Sequence, residues 1–266
     1  MSAPPSRVPK DDSTLMTVER GLKVLRAFRA ERTPLSNAEL VRRTGLSKAT
    51  VSRLTSTLLQ LNFLRRIPGR REFELSQGAV GIGRAYLAND AILDAAQPLM
   101  QELADHFDAS VALGVQDNLD MLYVGYCVSS KVATLRMGVG SILPMATTSI
   151  GRAYLWGLPP DERNALVKEH IRLAGPQGPA LQQGIAASFA ELDSVGTCAV
   201  LDGFQRDTCG VALPIRLGRQ GVLLSMSCGK ANVQLDLPAE HARITPALKL
   251  AAARLEKQLS ELDEQF

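Results

Sequence analysis

Apolar residues recur along this chain at two spacings, and each spacing predicts an element. In residues 17–31, Val18, Leu22, Leu25 and Phe28 fall on one helical face, and Pro34 closes the segment. Ser36-Asn37-Ala38-Glu39 has the form of a capping box. The Ser36 hydroxyl can accept the N3 amide while Glu39 reaches back to the Ser36 amide. A short helix follows to about Thr44, and Gly45 supplies the left-handed residue that ends it. Ser47 caps a further helix over residues 48–61, with Val51, Leu54, Leu58 and Leu61 on its inner face. Two capped helices separated by Gly45-Leu46-Ser47 have the spacing of a helix-turn-helix.

The spacing then shortens. Phe73 and Leu75 alternate with charged residues beyond a Pro68-Gly69 turn, so residues 64–75 read as a β-hairpin. Residues 78–83 are Gly-rich and read as flexible, and 85–107 as mostly helical, with Pro98 kinking the helix or starting a new one. Strands are expected at 110–115, 121–128 and 133–137, and a loop at 138–144. Helices are expected at 147–156, 161–171 and 189–195. Strands at 197–201, 210–214 and 221–227 follow, then a helix over 238–263. Helices and hairpins are segregated, which makes the fold class α+β.

Charge sharpens this division. The net charge of +3 is uneven: residues 1–80 carry 15 Lys/Arg against 7 Asp/Glu, and 81–266 carry 15 against 20. A basic first module calls for an anionic partner. On the outer side of the second capped helix stand Lys48, Thr50, Ser52, Arg53 and Ser56. They are small or basic and cluster in its first turns, as entry to a major groove requires. Arg and Lys can bond guanine, and a Thr methyl can touch thymine. Arg65, Arg66, Arg70 and Arg71 surround the hairpin tip and suit phosphate contact. Together these features make a winged helix-turn-helix that binds double-stranded DNA; the competing reading is a helical scaffold with a solvated basic hairpin.

The remaining chemistry is sparse. The chain has no G-x-x-x-x-G-K-[S/T], H-E-x-x-H or G-x-S-x-G motif, and Gly138-Val139-Gly140 lacks the third glycine of a dinucleotide fingerprint. His170 and His241 read as surface or capping residues. Three histidines and four scattered cysteines give neither a metal site nor a disulfide framework. No catalytic activity and no cofactor are expected. An enzyme with an accessory nucleic-acid domain would need a catalytic pair that is not found. Cys209, read as a loop residue, leaves a thiol-redox sensor as an alternative, whereas Cys198 and Cys228 lie in apolar strands. No run of about 18 uncharged apolar residues occurs, so no membrane contact is expected. Residues 1–15 are polar and Pro-rich without the apolar core of a secretory signal, and read as a disordered tail on a cytoplasmic protein. Ser225 and Ser227 share one strand face, Ser141 follows a glycine, and Thr147, Thr148 and Ser149 open a helix. Such hydroxyls either satisfy the backbone or converge on a small-molecule pocket, where a helix N-terminus suits a carboxylate.

Three stretches resemble the IclR-type bacterial transcription regulators. They are Val18-Glu19-Arg20-Gly21-Leu22-Lys23-Val24-Leu25, Thr44 to Leu54 (TGLSKATVSRL), and Gly140 to Ala153 (GSILPMATTSIGRA), which holds the family's L-P-x-x-x-T-x-x-G-[K/R]-A pattern. The resemblance implies a winged helix-turn-helix, a linker helix and a GAF-like α/β ligand-sensing domain. The corresponding ranges are a tail at 1–15, DNA binding at 16–77, a linker helix region at 78–92, and effector binding and oligomerisation at 93–266. It implies homodimers or tetramers on operator DNA, controlled by a small organic or aromatic acid. Carried over from relatives, the effector contacts are Gly140, Ser141, Asp202, Gly210, Ser225 and Ser227.

Overall fold

The computed structural model describes residues 16–28, 34–88, 90–132, 137–218, 221–231 and 236–263. The expected tail, residues 29–31 of the first helix and most of the strand expected at 133–137 lie outside the described residues. The chain divides into two compact units, residues 1–90 and 91–266.

The first unit contains α1 (Met16–Arg26), β1 (Leu35–Ser36), α2 (Asn37–Thr44), α3 (Lys48–Gln60), β2 (Leu64–Arg66), β3 (Glu72–Leu75) and α4 (Gln77–Leu87). Its three strands are antiparallel in the order β1-β3-β2. Val24, Leu35, Leu40, Val51, Leu58, Leu64 and Phe73 form one small core, so the hairpin is packed into the helices. The caps explain the sharp corner between α2 and α3. Ser36 Oγ accepts the Glu39 amide at 3.2 Å, and Ser47 Oγ accepts the Thr50 amide at 3.2 Å. Gly45 closes α2 at φ 68°, and the buried Thr44 hydroxyl donates to Leu40 while accepting from Leu46.

Four expectations for this unit need correction. Leu61 is not on the inner face of α3 but caps its C-terminal end and is exposed. Glu39 does not complete the capping box; its carboxylate accepts instead from Arg42 Nε at 2.7 Å and Arg43 Nε at 2.6 Å. Charge-assisted pairs within the helix outcompete a neutral amide. Val18 and Leu22 do not face the core: both are exposed, and Val24 and Ala27 carry the inward face of α1. Residues 78–83 are helical despite their glycines. Gly78 allows the chain to fold tightly there, since a Cβ would lie 2.7 Å from the Asn62 carbonyl oxygen.

The second unit runs α5 (Ala91–Phe107), β4 (Ser110–Asp117), β5 (Asp120–Val128), β6 (Ile142–Pro144), α6 (Ser149–Gly157), α7 (Pro160–Ala174), a 3-10 turn, α8 (Gly178–Val195), β7 (Cys198–Leu201), β8 (Thr208–Leu217), β9 (Val222–Ala231) and α9 (Leu237–Asp263). The strands form one antiparallel sheet in the order β6-β5-β4-β9-β8-β7. The helices split between its faces. Val111, Leu113, Val211, Leu213, Met226 and Cys228 pack with Leu99, Leu103, Leu248 and Leu255 of α5 and α9. Ala112, Met121, Leu143 and Ala212 pack with Ile150, Leu155 and Leu192 of α6 and α8. Pro98 lies inside α5 without ending it. Two elements differ from expectation. α8 begins eleven residues earlier than the helix expected at 189, and the expected loop at 138–144 ends in a short edge strand paired to β5. No helix among the described residues is long and apolar enough to cross a membrane.

Candidate functional site

The first unit presents a basic face. Lys48, Ser52 and Arg53 are exposed at the start of α3, and Thr50 is half-buried with its hydroxyl 2.9 Å from that of Ser47. Further along α3, Ser56 donates to the Ser52 carbonyl and Thr57 to that of Arg53. These back-bonds fold the hydroxyls against the helix and keep its outer surface low. All four hairpin arginines are exposed, but they are not equivalent. Arg65 pairs with Glu74 at 2.7 Å, Arg70 with Glu72 at 3.6 Å, and Arg66 lies over the Phe73 ring at 5.3 Å. Lys48, Arg53 and Arg71 have no carboxylate partner among the described residues, so their charge is uncompensated.

In the second unit a cavity lies between the sheet and the N-terminus of α6. It holds about 530 Å³ of empty space, its open mouth included. The sheet register explains why space remains there. Three rows cross β4, β9 and β8 on the α6 side: Ser110–Gly229–Gly210, Ala112–Ser227–Ala212 and Gly114–Ser225–Pro214. Every side chain in these rows is small or absent, so helix and sheet cannot fill the gap between them. The first row and Ser227 line the cavity.

The roof is the segment joining β6 to α6. Thr148 Oγ1 donates to the Pro144 carbonyl at 2.7 Å and accepts the Gly151 amide at 3.4 Å. Gly151 is required, because a Cβ there would come 2.0 Å from the Met145 carbonyl oxygen. Arg152 ties the segment down: Nε donates to the Ala146 carbonyl at 2.9 Å, and Nη1 to the Gly184 carbonyl at 2.9 Å and to Ser188 Oγ at 3.1 Å. Burial lowers the Arg152 pKa from its ordinary value, opposed by the nearby Cys198 and Glu191. The L-P-x-x-x-T-x-x-G-R-A pattern thus encodes a strand, a cap, a close approach and a tether. Thr148, Ser149 and Ile150 line the cavity at the first turn of α6, where amides without helical acceptors favour negative charge. Tyr123, Met137, Leu143 and Val200 supply apolar walls, and Phe204 and Gln205 stand at the cavity from the loop before β8. Lys230 lines the cavity too, but its ammonium is 3.2 Å from Glu240.

The six residues carried over for the effector are distributed unevenly. Gly210 and Ser227 line the cavity. A Cβ on Gly210 would lie 2.5 Å from Ser149 Oγ, so its bareness keeps that hydroxyl in place. The other four are not among the lining residues. Ser225 is fully buried and donates to the Leu213 carbonyl at 3.1 Å. Ser141 Oγ accepts the Gly138 amide at 3.0 Å, and the Gly140 amide donates to the Tyr123 carbonyl at 2.8 Å, pinning the 138–141 loop to β5. Asp202 is exposed at φ 55°, and its amide donates to the Thr208 carbonyl at 2.8 Å. Sequence reasoning passed over Ser110, Thr208, Gly203 and Gly229. Ser149 was legible as a helix-opening hydroxyl.

The cysteines are all buried and free. Cys209 is not in a loop, as expected, but in β8. Burial pushes its thiol pKa up, and lifts those of Cys198 and Cys228 to about 12. Cys198 and Cys228 are enclosed within the sheet core, whereas Cys209 also lines the cavity. His170 and His241 also differ from surface residues: His241 Nε2 lies 2.8 Å from Thr197 Oγ1, and His170 is half-buried.

The model of the IclR helix-turn-helix domain matches residues 17–68, and that of the bacterial transcriptional regulator IclR C-terminal region matches residues 84–257. The HTH-type transcriptional regulator TsaQ1/TsaQ2 of Comamonas testosteroni is 29% identical over 236 residues, 88% of this chain and 84% of that protein. The crystal structure of an IclR family transcriptional regulator from Brucella abortus is 32% identical, covers 96% of both chains and superposes with a TM-score of 0.84. An IclR homolog from Microbacterium hydrocarbonoxydans, solved in complex with 4-hydroxybenzoate, is 19% identical over 92% of this chain and 99% of that one, with a TM-score of 0.69. Both halves of the chain match the same regulators, and the chain belongs to the IclR family of DNA-binding transcription regulators.

Proposed function

We propose that this regulator holds a small organic or aromatic acid in the cavity beneath α6 and changes its affinity for operator DNA in response. The observation that carries this reading is the cavity itself: apolar walls, a bare sheet floor and a helix N-terminus with hydroxyls at one end. A carboxylate would sit at the Thr148–Ile150 turn, with the ring or chain against Tyr123, Met137 and Leu143. Gly210 and Ser227 remain in the contact set, joined by Ser149, Ser110 and Thr208. Ser225, Ser141, Gly140 and Asp202 act through the walls that they position. The 4-hydroxybenzoate bound by the Microbacterium relative supports an aromatic acid.

In this reading residues 16–77 bind the operator, 78–92 form the linker helix region, and 93–266 bind effector and mediate oligomerisation. Lys48, Thr50, Ser52 and Arg53 read base edges, and Arg65, Arg66, Arg70 and Arg71 hold phosphates. A homodimer places two such surfaces on a two-fold operator. Val18 and Leu22 on α1, with Val80, Ile82 and Tyr86 on α4, are large apolar side chains left exposed in the first unit, and they suit a second copy. The protein acts where its DNA is, in the cytoplasm, as a regulator rather than an enzyme. An effector shifts DNA affinity only by its differential affinity for the DNA-bound and free forms.

The test is a panel of aromatic and short organic acids, read by thermal shift of the full chain and by anisotropy on operator DNA selected from genomic fragments. A ligand at 100-fold excess over its Kd contributes roughly 2.7 kcal/mol, and the same ligand should change operator affinity. Stabilisation with no change in DNA affinity would refute the regulatory reading. A change in DNA affinity that survives Ser149→Ala and Ser227→Ala together would refute the assigned cavity.

A further inference from the structure

The cavity beneath α6 opens on one side. Of the residues that line it, only Phe204 and Gln205 are exposed; the others are buried or half-buried. The mouth is therefore at the 202–207 loop between β7 and β8. Gln205 is polar and suited to water, as are its neighbours Arg206 and Asp207. Phe204 is not. It is 45% exposed, and its ring has no aromatic or cationic partner among the described residues.

The backbone holds Phe204 in that place. Gly203, just before it, is fixed to the roof. Thr147 Oγ1 donates to the Gly203 carbonyl at 2.7 Å, and a Cβ on Gly203 would lie 2.4 Å from the Thr147 carbonyl oxygen. Two further bonds tie the loop to the start of β8. The Asp202 amide donates to the Thr208 carbonyl at 2.8 Å, and the Thr208 hydroxyl donates to the Gln205 carbonyl at 2.6 Å. Apolar residues scattered singly over a surface are ordinary. Phe204 is instead held on the wall of a cavity, in a loop bonded to both the roof and a floor strand.

We infer, building on the effector cavity proposed above, that Phe204 makes the site selective for aromatic over short aliphatic acids by packing against the ring of the bound acid on its open side. A Cβ on Gly203 would also lie 3.2 Å from Thr148 Cα, so the next residue, Phe204, stands beside the turn at which the carboxylate is expected. A ring joined directly to the carboxyl group is within its reach, and the buried Tyr123 supplies a second aromatic wall. Rings in offset-stacked or edge-to-face contact attract one another beyond simple burial. The bound ring also covers apolar surface that Phe204 otherwise shows to water. The two-carbon tail of propionate offers no ring face and covers little of that surface.

Because Phe204 is exposed, its replacement should leave the fold intact. Full-length wild type, Phe204→Ala and Phe204→Tyr, labelled at the methionine methyls, are titrated with benzoate and with propionate. The methyl of Met137, in the cavity wall, reports occupancy. Wild type should bind benzoate more tightly than propionate. Phe204→Ala should weaken benzoate about tenfold and propionate by less than about twofold, and Phe204→Tyr should restore benzoate. An equal loss for the two acids, or no loss, would overturn the role of Phe204 and leave the effector cavity standing. A wild type that binds propionate as tightly as benzoate would do the same. A wild type in which neither acid moves Met137 would overturn both the role of Phe204 and the cavity on which it rests.

Discussion

Arg152 offers the most quantitative test of how the effector cavity is held together. Its guanidinium donates to the carbonyls of Ala146 and Gly184 and to the hydroxyl of Ser188, each at 2.9–3.1 Å. Arg152→Met keeps most of the side-chain volume and removes all three donors. Hydrogen bonds from a charged group contribute about 1.5–3 kcal/mol each. Against this stands the cost of burying the charge, which the lowered Arg152 pKa records. Crediting about half of the gross figure leaves a net loss of roughly 3 kcal/mol. Trp156 is the only tryptophan, lies on α6 and donates to Asp193 at 3.0 Å, so its fluorescence reports on the second unit alone. That matters in a chain of two units, where a single global transition is not assured. With a urea slope of about 2 kcal/mol/M, the Trp156 midpoint should fall by about 1.5 M at fixed protein concentration. Arg152→Lys, which can restore one bond, should fall between. A loss below about 1 kcal/mol in Arg152→Met would refute the reasoning, since the three bonds would then barely exceed the desolvation that they offset.

Three further outcomes are expected. Gly210→Ala brings a Cβ to 2.5 Å from Ser149 Oγ; the hydroxyl can rotate away, so stability should change by less than about 1 kcal/mol while acid affinity in calorimetry drops about tenfold. Arg71→Ala should reduce the slope of log Kd against log salt by about 0.9 and weaken all DNA sequences alike; Arg65→Ala should do less, because Glu74 already pairs with Arg65, and equal effects would discount the pairing. Arg42 and Arg43 hold the Glu39 carboxyl at about 2; a folded pKa below the unfolded one means that its contribution is complete above pH 4.5 and disappears as pH falls toward 2. Glu39→Gln should therefore flatten acid unfolding of the first unit between those values, and an unchanged profile would show that the exposed pair contributes nothing.

The first unit was the more legible in sequence because its determinants are local. Ser36, Gly45 and Ser47 fix helix ends through hydrogen bonds to residues at most four positions away, and such bonds can be read from spacing alone. Where tertiary packing decides, local reading failed. Val18 and Leu22 have helical spacing, yet the core takes Val24 and Ala27. α8 opens with Gly, Pro, Ala and Leu, and its buried positions Ile185, Ser188 and Leu192 include a polar residue recruited by Arg152. That contact spans 36 residues and leaves no mark in the hydrophobic pattern of α8.

The effector cavity was half legible for the same reason. The hydroxyls of Thr148 and Ser149 announce a helix start, so a possible anion site could be read without the fold. The floor could not. Ser110, Gly229 and Gly210 look unrelated until β9 is seen lying between β4 and β8, because alternation tells which residues share a face of one strand but not which strands are neighbours. The two serines that alternation singled out, Ser225 and Ser227, do share a face, yet one register step along the sheet separates a hydroxyl in the cavity from one bonded to the Leu213 carbonyl. A step of two residues along a strand is about 7 Å, roughly the size of an aromatic ring. Of two residues that share a strand face, one can therefore line the cavity and the other lie beyond it. For that reason the experiments on Ser149, Gly210 and Ser227, chosen for their place in this cavity, discriminate better than substitutions at Ser225 or Ser141, which would disturb the walls whether or not a ligand touches them.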